Sequence, residues 1–330
     1  MMVMRKTFLF FVAMILCLWA CGNQPKPQTA QTEADNNQQA ESDSTFAGDI
    51  GEVPPVLVSC VKGLPLFAPF NDGDILNEGR TLKQSPEKYT KLIMGDQVFD
   101  VSYKEEKNKN LEHDESYLNQ YVYKNKDAMK GQLYDYANPK AIDEFLQTHG
   151  DMNVEGHAEP LEYTEGILVS ADYLQGRSVI PFMATTTEDP DAPEFPAEIV
   201  KKVEKMLGES VEKNRISSIL GKDEYKFGVM RTRPNAKYGI AAWVLARGSD
   251  VCVWTDTCEV DAGEGRIYWS NYDPDEYMEP NVVAVVKGKN GLDIYTMHMS
   301  TDETASYYLM RQDGTQMKRS SLGGFYQMYE

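Results

Sequence analysis

Apolar positions along the chain change period near residue 225. Beyond it, alternation with a period of two dominates. Tyr225, Phe227 and Val229 alternate with Lys226, Gly228 and Met230, the mark of a strand with one apolar face. A turn at Arg233-Pro234-Asn235-Ala236 leads into residues 238–246, apolar on both faces and so expected as a central, covered strand. Further strands are expected at 250–255, 281–287, 291–299, 303–311 and 324–329. The short connections between most of them predict an antiparallel meander.

Before residue 225 helical periodicity appears. Asn138-Pro139 opens a helix over 139–148, with Ala141, Ile142, Phe145 and Leu146 on one face and Gly150 as its stop. Ile199, Val200, Val203, Met206 and Leu207 form an apolar stripe over 197–207, closed by Gly208. A shorter helical segment is read over 209–220, and another from Ser85-Pro86-Glu87 to about Met94, capped by Ser85. Strands at 165–171 and 177–185 are expected as a hairpin around Gln175-Gly176. Residues 53–70, broken by four prolines, read as short strand and irregular chain. Stretches 98–103 and 117–123 fit either element, and 104–110 reads as a surface loop. Helices and strands grouped in runs point to an α+β class: a largely antiparallel sheet with helices packed on one side. The body divides into an irregular α/β part, 53–160, and an α+β antiparallel-sheet domain, 161–330.

The first 20 residues stand apart from this body. Arg5 and Lys6 precede an apolar run from Phe8 to Ala20, about 20 Å long as a helix and too short to span a bilayer core of about 30 Å. Its end, Leu18-Trp19-Ala20-Cys21, resembles the lipobox of bacterial lipoprotein signal peptides. That resemblance covers residues 1–22 and implies cleavage before Cys21, which would carry a diacylglyceryl and acyl anchor. Ala20 supplies the small residue that the peptidase requires, whereas Cys17 follows the bulky Leu16. Residues 22–52 contain one aromatic, Phe46, among Gln, Asn, Ser, Thr and acids, and read as a disordered tether. Its typical reach is about 30 Å. Gly22 follows the cysteine with no aspartate beside it, which favours the outer membrane over the inner.

Charge narrows the partners. Without residues 1–20 the chain carries 31 basic and 51 acidic side chains, a formal charge of −20. Such a field excludes nucleic acid as a partner and gives no basic patch for lipid head groups. Membrane attachment is therefore expected through the lipidated Cys21 alone.

Candidate chemistry is sparse. His113-Asp114-Glu115, His149 with Asp151, and His157 with Glu159 could gather zinc, although no His-Glu-x-x-His spacing is present. Ser59 to Lys62 and Ser85 to Lys88 match Ser-x-x-Lys, but the companion motifs of penicillin-recognising enzymes are missing. The densest polar-aromatic stretch is 266–281. Tyr268, Trp269, Asn271, Tyr272, Asp273, Asp275 and Tyr277 offer flat rings beside amides and carboxylates, as a glycan surface does. Its acids could also hold calcium, and the alternative is a loop folded back over the sheet as a lid. No resident cofactor is expected. Cys252 and Cys258 could bridge only if the chain turns between them, because six extended residues span about 20 Å. The sequence thus predicts a lipid-anchored envelope protein that binds a glycan, small ligand or envelope partner. A hydrolase built around 113–159 and a surface-assembly subunit are the alternatives.

The anchor register is directly testable. Cys21→Ser should abolish metabolic labelling with palmitate and leave uncleaved precursor, and Cys17→Ser should leave labelling intact. Labelling that follows Cys17 would overturn the register.

Overall fold

Strands with one apolar face must find a second layer or close on themselves, and this chain does both. The computed structural model describes residues 53–69, 82, 84–107, 131–153, 161–185, 192–222, 224–269, 277–299 and 304–326. All lie in one unit, Glu41–Glu330.

The N-terminal sheet contains β1 (Val56–Val61), β2 (Leu66–Pro69), β3 (Tyr89–Met94), β4 (Gln97–Lys107), β5 (Gly131–Tyr136), β6 (Asp151–Asn153) and β7 (Leu161–Ser170). Its order is β1-β7-β3-β4-β5-β2, with β6 also on β7. The long β4 pairs with β3 through its first residues and with β5 through the rest, which curls the sheet into a half-barrel. Helix α1 (Pro139–His149) packs Ile142, Phe145 and Leu146 against the apolar face formed by residues such as Val58, Leu92 and Tyr134. Asn138 caps it by accepting the Ala141 amide.

The second sheet is a nearly closed barrel made of two antiparallel meanders. One runs β10 (Val211–Leu220), β11 (Tyr225–Thr232), β12 (Tyr238–Arg247) and β13 (Asp250–Glu259). The other runs β14 (Asn281–Lys287), β15 (Leu292–Met299), β16 (Thr304–Asp313) and β17 (Gln316–Tyr326). On one side the meanders meet in parallel, β13 against β17, at the single pair Val253 and Gln316. On the other side a short stretch stitches their edges together. Its β8 (Ser178–Val179) pairs with β14, and its β9 (Phe182–Ala184) pairs with β10. Between the two, Ile180 N donates to Val285 O at 3.0 Å and Pro181 O accepts from Gly221 N at 2.8 Å.

Side-chain parity assigns the layers. On β12, Ala241, Trp243 and Leu245 point into the barrel, while Ala242, Val244 and Ala246 point out. Helix α2 (Ala197–Leu207) covers that outer face with Ile199 and Val203. The outer face of β14–β16 packs Ala284, Tyr295 and Leu309 against Leu57, Ile93 and Ile167 of the N-terminal sheet. Within this shared layer the Tyr173 hydroxyl lies 2.6 Å from that of Tyr295 and 3.2 Å from Asp293 Oδ2. Arg311 donates to both Asp293 oxygens at 2.7 and 3.0 Å, so the buried carboxylate is paired.

Several expectations need correction. The class is mostly β, a nearly closed barrel beside a half-barrel sheet, and not α+β. Among the described residues there are two α-helices, at 139–149 and 197–207. The stretch after Ser85 makes one 3-10 turn, Pro86–Lys88, before Tyr89–Met94 joins the sheet as β3. Its Thr90 and Ile93 favour strand, and pairing on both edges overrides the helix-opening Ser-Pro-Glu. Residues 211–220 form β10, not helix; two register shifts there break the alternation that identifies a strand. The 165–171 and 177–185 strands do not pair with each other, because β7 belongs to the N-terminal sheet and the second stretch closes the barrel. The changeover between the sheets falls after Ser170. The last strand begins at Gln316, and 327–330 lie outside the described residues. Cys252 and Cys258 are free thiols on the unbroken strand β13, which keeps them far apart. No helix among the described residues is long and apolar enough to cross a membrane.

One glycine locks the β10 bulge. A Cβ on Gly228 would lie 2.0 Å from Arg215 O and 2.8 Å from Ile216 Cα, both backbone atoms. Gly228→Ala should therefore cost about 1–3 kcal/mol, read as a lower urea midpoint. An unchanged midpoint would show that the bulge relaxes freely.

Candidate functional site

The strand directions make the two ends of the barrel unequal. Tight turns at 221–224, 248–249, 288–291 and 314–315 close one end. The other end receives 233–237 and the described parts, 260–269 and 277–280, of the connection between β13 and β14. Strands β15, β16 and β17 stand between β13 and β14 in the sheet, so the two described ends of this crossing, 260–269 and 277–280, leave and enter strands that are not neighbours.

Both described ends of that crossing dock into the mouth. Asp261 Oδ1 accepts the amides of Gly263 and Glu264, each at 2.8 Å, which sets the first turn. Trp269 lies on β12 at Gly239, where an added Cβ would meet its ring at 2.7 Å. The absence of a side chain is what lets the indole lie there. Tyr277 enters the barrel interior and is buried. Its hydroxyl accepts Trp243 Nε1–H at 2.8 Å and donates to Asp256 Oδ2 at 3.4 Å. Burial, with the Asp256 charge second, pushes the Tyr277 phenol well above its ordinary value.

Around this chain of bonds lies an aromatic layer. Trp243 meets Trp254 edge-on at 5.4 Å, His298 at 5.5 Å and Tyr308 at 6.0 Å. Tyr277 lies 5.3 Å from the His298 ring and 6.0 Å from Trp269. The Arg319 guanidinium is held between two rings, 3.8 Å from the Trp254 centroid and 4.3 Å from that of Tyr308. Arg231 lies over Trp269 at 5.4 Å. The His298 ring hydrogen-bonds the Met278 backbone, and its Nε2 is buried with no partner among the described residues. The bond is therefore made at Nδ1. Burial lowers the His298 pKa below the imidazole norm, opposed by the Met278 bond and Asp256 and reinforced by Arg319. The uncharged ring is the favoured form.

The residues expected from sequence are distributed unevenly. Trp269 and Tyr277 belong to the mouth, as the folded-back lid would place them. Tyr268 is exposed, carries Arg266 at 5.1 Å over its ring and bonds Glu264. Asn271, Tyr272, Asp273 and Asp275 lie outside the described residues. So do His113 and His157, which belonged to the proposed zinc cluster. His149 ends α1, stacked on Phe145 at 4.5 Å and bonded to Phe145 O at 3.2 Å. Among the described residues no group of three or more His, Cys, Asp or Glu could hold a metal ion. Ser59 bonds Glu165 at 3.0 Å, and Ser85 bonds Glu87. Cys252 Sγ donates to Gly314 O at 3.0 Å and Cys258 Sγ to Tyr268 O at 2.9 Å.

Sequence reasoning missed Trp243, Trp254, Asp256, His298, Tyr308 and Arg319. A parity signal was present for three of them. Asp256 follows Trp254, His298 follows Thr296 and Arg319 follows Met317, each two residues further along an inward face.

Tyr277→Phe removes the acceptor of a buried indole N–H. Stability should fall by about 1–3 kcal/mol, measured as a urea midpoint by circular dichroism. A midpoint equal to that of the parent would show that Trp243 finds another partner.

Comparison with protein-family models, with curated proteins and with solved structures gave no match, so any function for this barrel has to be argued from its own residues.

Proposed function

We propose that this chain is a lipid-anchored binding protein of the bacterial cell envelope, with its ligand site at the loop-bearing mouth of the C-terminal barrel. The N-terminal reading supports the anchor: a short apolar run ending in Leu18-Trp19-Ala20-Cys21, then a polar, acid-rich stretch unsuited to folding. The mouth supports the binding role, and one observation carries it. Three indoles, two phenols and a stacked guanidinium converge there from four strands and the crossing loop, while the opposite end has only tight turns. Faces of this kind, interleaved with Asp256 and His298, suit a small polar ligand with an apolar ring face, a sugar above all.

The protein supplies its own reporter. Beyond residue 20 its tryptophans are Trp243, Trp254 and Trp269, all in this layer. The full chain, kept in a polyoxyethylene detergent without sugar head groups, is titrated with glucose, N-acetylglucosamine and their short oligomers. The expected result is a saturable change in tryptophan emission. Trp269→Ala should weaken the response at least about tenfold, or about 1.4 kcal/mol, with a melting temperature within a few degrees of the parent. Silence towards neutral and acidic sugars alike would overturn the reading, as would unchanged affinity in Trp269→Ala.

A further inference from the structure

The mouth contains two polar groups that the fold itself leaves unused. The Arg319 guanidinium carbon lies over two rings, Trp254 at 3.8 Å and Tyr308 at 4.3 Å, and its N–H donors are what it can offer a ligand. Among the described residues none of its neighbours accepts from them in a hydrogen bond or ion pair. A half-buried cation with no ion pair among the described residues gains from an acceptor at that edge. The second group is His298 Nε2, buried and unpartnered, its lone pair free because Nδ1 is the bonded nitrogen. The same Tyr308 ring joins the two. It lies 4.3 Å from the Arg319 guanidinium carbon and 6.5 Å, centroid to centroid, from His298.

These groups ask for complementary things. A planar fork of N–H donors matches a carboxylate in a two-point contact. A bare imidazole nitrogen accepts from a hydroxyl. Flat indole and phenol faces nearby take the apolar face of a ring. Asp256, a carboxylate of this layer, accepts from the Tyr277 hydroxyl at 3.4 Å. The rest of the molecule, formally −20 beyond residue 20, repels anions. An acid that binds must therefore be recognised locally, and Arg319, over the Trp254 and Tyr308 rings, is a cation placed to do so.

We propose that the barrel mouth recognises an acidic sugar, its carboxylate clamped by Arg319 and a ring hydroxyl donating to His298 Nε2. This rests on the reading of the mouth as a ligand site and narrows it to one ligand class.

The test compares probes that differ in the carboxylate. Tryptophan emission of the full chain in polyoxyethylene detergent is titrated with glucuronate, glucose and inorganic phosphate. Glucuronate should bind at least about tenfold more tightly than glucose, a difference read on the parent protein without any variant. Arg319→Gln should remove that preference, weakening glucuronate at least about tenfold more than it weakens glucose. Arg319→Lys, which retains the charge but loses the fork, should fall between them. His298→Phe keeps a ring in place and should weaken glucuronate severalfold. Equal binding of glucuronate and glucose, or glucuronate binding unchanged in Arg319→Gln, would overturn the acid site and leave a neutral-sugar mouth standing. Phosphate binding as tightly as glucuronate would also overturn it, showing a bare anion site. No saturable response to any of the three would overturn the acid site and count against the mouth as a ligand site.

Discussion

Closure of the barrel depends on a few residues that belong to neither meander. β8 and β9 together span Ser178 to Ala184, yet their backbone occupies the free edges of both β14 and β10. Without them those edges would present unpaired amides and carbonyls, open to pairing with another chain. So short a stretch has little strand stability of its own, and its hold comes from side chains. Ile180 and Phe182 pack against the barrel core, each contributing on the order of 1 kcal/mol. Just upstream, Arg177 lies over the Tyr173 ring at 4.3 Å and donates to Tyr173 O at 3.0 Å. Tyr173 in turn reaches Tyr295 and Asp293 in the layer shared with the N-terminal sheet. The same connector therefore docks one sheet on the other and seals the second.

That closure also explains why the mouth is where it is. With β17 lying parallel beside β13 and the far edges stitched through 178–184, the chain has no short path from β13 to β14. The crossing is a requirement of the topology, and Trp269 and Tyr277 ride on it. Their docking then depends on β12, which offers Gly239 as a bed for one ring and Trp243 Nε1 as a donor to the other. Beyond Val253 and Gln316 the parallel seam has no further backbone pair. Its inner side there is lined by Trp254 and Arg319, stacked on each other.

Much of the strand content was legible because period two survives where one face is buried. Residues 225–230, 238–246 and 281–287 have unbroken alternation or two covered faces, and each was located within a residue or two. Helices α1 and α2 were legible for the corresponding reason, an apolar stripe with a clear start and stop. What escaped was non-local. Residues 89–94 and 211–220 took the strand state because of partners far along the chain, and bulges in β10 masked its period. Class followed from those errors, since two expected helices became strands of the two sheets. At the site, Trp269 and Tyr277 stood out as part of a dense local cluster. Trp254, His298 and Arg319 did not, because they come from three strands that only closure brings together.

The way the barrel closes also imposes an order in time. β9 can meet β10 as soon as residue 220 is made, but β8 must wait for β14, about a hundred residues later. The parallel seam needs Gln316, and the layer against the N-terminal sheet needs β15 and β16. Contacts so distant in sequence form slowly, because the loop entropy is lost before they stabilise anything. The first meander is thus complete in sequence before the strands that close it, and the mouth can form only once the C-terminal strands are made. A chain truncated before β17 would retain Trp243, Trp254 and Tyr277 but lack the arginine that stacks among them, along with the strand that seals the seam.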